Sequence, residues 1–259
     1  MRLTSTKNPL LQRVRRAGRA GQPTEDGLVV AEGPHLLEEA RRSSWEIVQV
    51  FVTAAAAERH PELLRGLDGD LVEVAPHALA SIAATETSQG IVALLRPRTW
   101  SWRDMAGNPP VLVVLDGIQD PGNAGTIVRS TEAFGATGIV FLAGCVRVPN
   151  GKFLRASAGS IFRIPYLEEV AAADFLAQTG EVFRIPIYAL DASGENTLTG
   201  MDFSRGCALV VGSEGAGVSP AVRPRAAPLR IPICKVESLN AAVAASIVLF
   251  ETAKQRSSR

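Results

Sequence analysis

Four apolar runs in the C-terminal half of the chain are continuous rather than alternating, and this pattern constrains the fold more than any other feature. The runs are VLVVLD from Val111, GIVFLAG from Gly138, IPIYALD from Ile185 and CALVVG from Cys207. A strand that is apolar at every position is buried on both faces, which is typical of a parallel sheet covered by helices. The runs therefore predict one α/β domain over residues 111–259, and the pattern by itself predicts an open, doubly wound sheet.

A smaller α/β domain is predicted over residues 25–96. The short strands LVVAEG, EIVQVFVT, DLVEVA and GIVALL alternate there with helical patterns such as HLLEEARR and HALASIAA. Residues 97–110 contain Pro97, Pro109 and Pro110 without clear periodicity. They are predicted to be an interdomain linker.

Residues 1–24 are basic and contain no acidic residue. Their cationic side chains are Arg2, Lys7, Arg13, Arg15, Arg16 and Arg19. The C-terminus is basic as well, with Lys254, Arg256 and Arg259. Two interpretations of the N-terminal segment stay open: a solvated tail, or an arm that contacts the phosphates of a nucleic acid.

Composition excludes several classes of protein. With 46% hydrophobic and 20% charged residues, the chain is an ordinary globular one, and Ala241 to Phe250, its longest apolar stretch, is about half the length of a membrane-spanning helix. We expect a cytoplasmic protein. Three cysteines without C-x-x-C spacing support neither a disulfide framework nor a zinc site, and three scattered histidines fit no metal pattern. No metal is expected.

The turn after the first run, LDGIQDPGNAGTIVRSTEAFG from Leu115, is suited to a functional site. Asp120 to Asn123 breaks the strand, and Asn123 is predicted to cap a helix that ends near Phe134. Gly125 and Arg129 are four residues apart, so the glycine allows a ligand or another chain to approach the guanidinium. An ordinary βα unit with a solvated arginine is the alternative.

Two later segments contain similar turns. ALVVGSEGAGVS from Ala208 is a strand that enters a glycine-rich loop with one carboxylate, Glu214. IPICKVESLNAAVAASIVLFE from Ile231 is a short strand, a loop and an alanine-rich helix. Each segment alone fits many α/β proteins, and S-L-N is often only a helix cap.

Together, in this order and spacing, the three segments resemble the motifs of the SpoU/TrmH family of RNA ribose 2′-O-methyltransferases. KFLRASAGSIFRIP from Lys152 resembles the family's segment between its first two motifs, and residues from about Leu28 to Leu95 resemble its N-terminal substrate-binding domain. The resemblance implies a catalytic domain folded as a deep trefoil knot that holds S-adenosyl-L-methionine. It also implies a homodimer packed through the knotted domain.

The resemblance implies roles for named residues. Arg129 would contact the target nucleotide and help to activate its hydroxyl, while Asn123, Glu214 and Asn240 would shape the catalytic site. The cofactor would lie against the second and third motif loops, with the residues Gly212, Gly215, Ile231, Pro232, Ser238 and Leu239.

The expected partner is RNA, and ribosomal RNA is favoured over tRNA because the N-terminal domain resembles that of rRNA-modifying members. A tRNA methyltransferase and a non-catalytic RNA-binding homologue stay open as alternatives. A nucleotide-binding oxidoreductase fits poorly, because no G-x-G-x-x-G opens a first βα unit.

The third segment departs from the family pattern. Members commonly read I-P-M-x-G-x-x-x-S-L-N, whereas this chain reads I-P-I-C-K-V-E-S-L-N, one residue shorter and without glycine. Since such a loop has fewer backbone conformations available, we expect weaker cofactor binding than in relatives with the longer loop.

Overall fold

The computed structural model describes residues 2–67 and 69–257; Arg259 of the basic C-terminus lies outside them. The chain divides into two compact units. Unit 1 comprises the described residues up to Thr99 together with Arg147–Arg163, and unit 2 comprises Trp100–Val146 and the described residues from Ile164 onward. No helix in the described part of the chain is long and apolar enough to span a membrane.

Unit 1 is built on a mixed five-stranded sheet in the order β1-β4-β3-β5-β2. The first three strands in this order pair in parallel, and β5 is antiparallel to β3 and β2. Its strands are β1 (Arg2–Leu3), β2 (Val29–Glu32), β3 (Glu46–Val52), β4 (Leu71–Val74) and β5 (Ile91–Arg96). Its helices are α1 (Pro9–Ala20), α2 (Pro34–Arg41), α3 (Ala54–Arg59), α4 (Pro61–Leu64), α5 (Pro76–Ala80) and α7 (Gly151–Ser157), with a 3₁₀ turn at Ser160–Phe162.

The basic N-terminal segment is part of this unit rather than a separate arm, which corrects the prediction. Leu11 and Val14 of α1 are fully buried in the core of the unit. Arg2, Arg13 and Arg16 form ion pairs with acidic residues of the same unit, and Arg15 donates to the carbonyl oxygen of Ser81 at 2.8 Å. An apolar stripe through the arginines is the reason, since burying it stabilises the helix on the sheet.

Arg147–Arg163 belongs to unit 1, although the predicted boundaries place it in the C-terminal domain. The ring of Phe162 packs at 4.6 Å from the ring of Trp45, and Arg163 forms an ion pair with Glu39. Phe153 and Leu154 of α7 are fully buried. The chain therefore leaves unit 2 after β7 and returns to it at β8.

Unit 2 is an α/β domain with a parallel sheet, as predicted. Its seven strands are parallel throughout, in the order β10-β12-β9-β11-β6-β7-β8. The strands are β6 (Val111–Asp116), β7 (Gly138–Leu142), β8 (Tyr166–Val170), β9 (Ile187–Leu190), β10 (Asn196–Thr197), β11 (Cys207–Gly212) and β12 (Ala227–Arg230). The helices are α6 (Pro121–Ala133), α8 (Ala172–Ala177) and α9 (Ala241–Ser257).

Short non-α turns complete unit 2. The 3₁₀ turns are Trp102–Met105, Leu198–Gly200 and Arg223–Arg225, and a π-helical turn spans Gln178–Phe183. Met105 is fully buried, and Trp102 packs edge-on against Phe183 with 6.2 Å between the rings. The C-terminal part of the predicted linker therefore belongs to the core of unit 2.

Candidate active site at the carboxyl edge of the parallel sheet

The site begins where β6 and β11, which pair in register with Asp116 opposite Gly212, reach the carboxyl edge of the sheet. In open parallel sheets this edge is the usual place for a ligand. Loops from both strands, and the loop that leads into α9, meet there.

The first motif positions Asn123 in the first turn of α6. Asp120, not Asn123, caps the helix: its Oδ1 accepts the backbone N–H of Asn123 at 2.7 Å. The prediction that Asn123 is the cap is therefore wrong by three residues. Since Asp120 caps the helix by accepting this N–H, the Asn123 side chain is available to other partners.

The glycine-rich second motif turns back on itself immediately after β11. Ser213 and Gly217 form an isolated β-bridge, and the Gly217 N–H donates to the Ser213 carbonyl oxygen at 2.9 Å. A Cβ atom on Gly212 would lie 2.2 Å from the Gly217 carbonyl carbon, and Gly217 has a φ of +66°. Both positions therefore require glycine for the loop to close.

A buried carboxylate fixes this loop to the first motif. Asp116 is 7% exposed, and its Oδ2 accepts the backbone N–H of Ser219 at 2.7 Å. Asp116 ends β6, whereas Ser219 lies 103 residues later, beyond the glycine-rich turn. A hydrogen bond to a charged acceptor at a buried position holds the two motif loops in one arrangement.

The third motif supplies Asn240, which caps α9. Its Oδ1 accepts the backbone N–H groups of Ala242 at 3.0 Å and Val243 at 3.3 Å. The cap leaves the Asn240 amide nitrogen free to donate on the other side. The preceding loop, residues 231–239, has no regular secondary structure.

Side chains from all three motifs form one hydrogen-bonded triangle. Asn123 Nδ2 and Asn240 Nδ2 both donate to Glu214 Oε1, each at 2.9 Å. Asn240 Nδ2 also donates to Asn123 Oδ1 at 2.9 Å. The triangle orients a carboxylate at the surface of the site, with Oε1 occupied by two amide donors.

A cavity of about 420 Å³ lies beside this triangle, within the range of about 300–1,000 Å³ typical of small-molecule sites. Aliphatic side chains make up much of its wall. They belong to Leu190, Val211, Leu229, Ile231, Ile233 and Leu239. The polar lining includes Asp191 and Glu214, so the cavity combines apolar walls with two carboxylates.

Asp191 is a site residue that the sequence analysis missed. Its Oδ1 accepts from the Ser193 hydroxyl at 2.7 Å and from the Ser193 N–H at 2.9 Å, and these hydrogen bonds hold the pKa of Asp191 below its usual value. The carboxylate is therefore ionised at neutral pH. The signal in the sequence was an aspartate at the end of an apolar run, the same position that Asp116 occupies on its own strand.

The structure places the other predicted residues as follows. Gly212, Ile231, Ser238 and Leu239 line the cavity, whereas Gly215 and Pro232 are not among its lining residues. Arg129 is exposed on α6, outside the triangle. No cluster of three or more histidine, cysteine, aspartate or glutamate side chains that could hold a metal occurs in residues 2–67 and 69–257.

Comparison with known proteins gives consistent matches along the chain. Residues 110–250 match the SpoU rRNA Methylase family, and residues 10–93 match the MRM3-like substrate binding domain. An uncharacterized tRNA/rRNA methyltransferase of Synechocystis sp. is 33% identical over 259 residues, covering 98% of this chain and 94% of the relative.

Two further proteins carry more specific descriptions. The 23S rRNA (guanosine(2553)-2′-O)-methyltransferase RlmP of Bacillus subtilis is 29% identical, covering 96% of this chain and 97% of that protein. The crystal structure of an AdoMet-bound rRNA methyltransferase from Sinorhizobium meliloti superimposes with a TM-score of 0.85 at 28% identity, covering 98% of this chain and 97% of that one.

Proposed function

Because the chain belongs to the SpoU rRNA methylase family, we propose that it transfers a methyl group from S-adenosylmethionine to a ribose 2′-hydroxyl of ribosomal RNA. The observation that supports this most directly is the Asn123–Glu214–Asn240 triangle beside the cavity. It brings the three motifs together at one ligand-sized site. The RlmP relative, named for 2′-O-methylation of 23S rRNA, supports the choice of atom and of RNA.

The cavity has the chemistry that the cofactor needs. Its aliphatic walls suit an adenine ring, and the ionised Asp191 carboxylate can accept hydrogen bonds from hydroxyl or ammonium groups. Glu214 adds a second carboxylate that suits a cationic ligand. When bound, S-adenosylmethionine supplies an activated methyl electrophile.

The protein's task in this reaction is mainly to position the ribose hydroxyl, which can account for about 7–11 kcal/mol of the barrier. The triangle holds Glu214 Oε1 with two amide donors and so fixes the carboxylate. We assign Arg129 to the RNA side of the site. A guanidinium does not deprotonate in proteins, so Arg129 would bind a phosphate and stabilise negative charge on the 2′-oxygen.

The proposal includes the deep trefoil knot expected for the second unit. The sheet order supports it. β12 pairs with β9 although β10 and β11 lie between them in sequence, so the chain crosses back over earlier strands before β12 joins the sheet. A cytoplasmic location, where such RNA is found, is part of the same proposal.

A homodimer is also part of the proposal, and an exposed apolar face supports it. Val243, Ile247 and Phe250 lie on one side of α9 and are 48%, 36% and 55% exposed. Together with Thr126 of α6 they line a cavity of about 320 Å³. Exposed apolar clusters of this kind are typical of interfaces, and a second copy of unit 2 presents the same surface.

Methyl transfer from tritiated S-adenosylmethionine tests the activity. The protein is incubated separately with unmodified 23S rRNA, 16S rRNA and tRNA, and each RNA is then hydrolysed in alkali. A 2′-O-methyl group blocks cleavage of its own phosphodiester, so the label should appear in alkali-resistant dinucleotides from rRNA.

Other outcomes separate the alternatives. Label in mononucleotides would mean base methylation and would refute the choice of atom. Label in tRNA alone would establish the tRNA alternative. Calorimetric binding of S-adenosylmethionine without transfer to any of the three RNAs would favour a non-catalytic RNA-binding protein.

A further inference from the structure

A second cavity, wholly within unit 1, has a volume of about 680 Å³ and is rich in basic side chains. Arg41 and Arg42 reach it from the end of α2, Arg59 from the end of α3, and His35 and His60 lie at the starts of α2 and α4. Two acidic side chains, Glu38 and Glu62, also line it. We call this cavity the basic cleft.

The two carboxylates are already paired with arginines. Glu38 Oε1 lies 2.6 Å from Arg42 Nη2, one helical turn away on α2. Glu62 Oε1 lies 2.8 Å from Arg65 Nη2, which is not part of the lining. Neither carboxylate has a hydrogen bond or ion pair to Arg41 or Arg59 among the contacts of the described residues.

Among the described residues, Arg41 and Arg59 donate hydrogen bonds only to carbonyl oxygens, which fix a guanidinium without neutralising it. Arg41 Nη1 donates to the carbonyl oxygens of Leu63 at 2.6 Å and Arg65 at 2.9 Å. Arg59 Nε donates to the Ala55 carbonyl at 3.1 Å, one turn earlier in α3. Within the described part of the chain, the cleft therefore has two oriented positive charges without an acidic partner, and each retains unused N–H donors.

The start of α2 adds to this positive potential. The helix has eight residues, no acidic residue in its first turn and no side-chain cap at Gly33. Its N-terminal dipole is therefore not offset locally, and His35 lies in this first turn. The dipole adds to the positive potential of the arginines, and by itself it would not be a binding site.

We propose that the basic cleft binds a backbone phosphate of the substrate RNA, through the free guanidinium donors of Arg59 and Arg41. The arginine fork matches phosphate oxygens, and such contacts position an RNA without reading its sequence. This inference rests on the proposed function, since it takes RNA as the substrate. It assigns a contact to unit 1 that does not depend on the basic N-terminal segment.

Salt dependence of RNA binding tests the assignment, with a fluorescein-labelled oligouridylate as the probe. The variant Arg59→Gln removes one cation from the cleft. Arg96→Gln is the matched control, because Arg96 lies in the same unit outside the cleft and its charge is already paired with Glu46 at 2.9 Å. Both side chains are exposed at the surface, so thermal unfolding should stay unchanged in both variants.

For one lost phosphate contact on a single strand, the slope of log affinity against log salt should become shallower by about 0.7 in Arg59→Gln. Arg96→Gln should keep the slope of the natural chain. The charge reversal Arg59→Glu should weaken binding further than Arg59→Gln. Equal slopes in all variants, or no salt-dependent binding by the natural chain, would overturn the assignment.

Two parallel measurements separate this inference from the proposed function and from a free anion. If the natural chain methylates RNA but the slope is unchanged in Arg59→Gln, the phosphate site is refuted and the proposed activity stands. If the slope changes but no RNA is methylated, the phosphate site stands and the proposed activity is refuted. Inorganic phosphate is also tested by thermal unfolding. If it raises the unfolding temperature of the natural chain but not of Arg59→Gln, while both proteins have the same salt slope for RNA, the cleft binds a small anion instead.

Discussion

At the scale of single residues, Arg129 differs from the other motif side chains. It is exposed on α6, and its side chain forms no hydrogen bond or ion pair within residues 2–67 and 69–257. The three polar residues of the triangle, by contrast, are bonded to one another. An arginine without a structural partner is available to a ligand.

We therefore expect Arg129→Ala to lower kcat for methyl transfer by about 10²–10³-fold, as loss of one charge-stabilising donor does in other enzymes. Stability and affinity for S-adenosylmethionine should stay near those of the natural chain, and Arg129→Lys should restore little, because a point charge lacks the planar fork. Arg205→Ala, an exposed change elsewhere in unit 2, is the control. Near-normal turnover in Arg129→Ala would refute the role.

Asp116 has a structural role that the motif pattern alone does not reveal. Replacing it with alanine leaves the N–H of the half-buried Ser219 without its charged acceptor, so Asp116→Ala should lower the free energy of unfolding by about 1–3 kcal/mol. Urea unfolding measures this. Glu181→Ala, an exposed change elsewhere in unit 2, should change stability by less than about 0.5 kcal/mol. A similar loss of unfolding free energy in both variants would contradict the role of Asp116 in holding the two motif loops together.

At the scale of elements, the loop of the third motif is the least regular part of the site. Ile231 and Ile233 line the cavity near its start, and Ser238, Leu239 and Asn240 line it at its end. Residues 234–237 are exposed and are not part of the lining. The shortened loop therefore reaches the cavity from both ends, although it has no glycine.

We expect weaker binding of S-adenosylmethionine than in relatives with the longer loop, because a loop without glycine places its backbone amides less freely. Calorimetric titration of the natural chain and of a variant with one glycine inserted after Cys234 measures the effect, and the insertion should tighten binding. A glycine inserted after Ala192, in a different loop at the cavity, is the control. Tight binding that is lost on insertion at Cys234 would show that the short loop is already fitted to its ligand.

The sequence analysis predicted strands that are apolar along most of their length and missed a strand that mixes apolar and charged residues. β6, β7, β9 and β11 were predicted because they are apolar along most of their length. The edge strand β8 was missed, since its sequence YLEEV holds two glutamates that an edge position tolerates. The cap of α6 was misplaced because Asp120 and Asn123 are equally good capping residues, and only the fold selects between them.

At the scale of the whole molecule, the apolar face of α9 is the surface through which we propose that two copies associate. Three of the five large hydrophobic side chains that are exposed within residues 2–67 and 69–257 lie there. Phe250 also packs edge-on against Phe134, the residue that follows α6, with 5.9 Å between the rings.

Phe250→Glu should therefore convert a dimer to a monomer, because a charge at the centre of an apolar interface is left without a partner. Sedimentation velocity at low micromolar concentration measures the change. Val182→Glu places the same charge at a residue that is 64% exposed elsewhere in unit 2, and it should stay dimeric. A natural chain that sediments as a monomer would refute the dimer itself.

Residues 147–163 belong to unit 1, whereas the chain on both sides of them belongs to unit 2. This limits how the two units can be exchanged between proteins. One cut in the segment 97–110 separates the two units incompletely, because residues 147–163 of unit 1 stay covalently joined at both ends to unit 2. A fragment that begins at residue 100 would still carry Phe153, Leu154 and Phe162 without the core that buries them. The methyltransferase unit of this chain is therefore not a portable module: a change of its substrate-binding partner requires matched changes at two separate places in the gene.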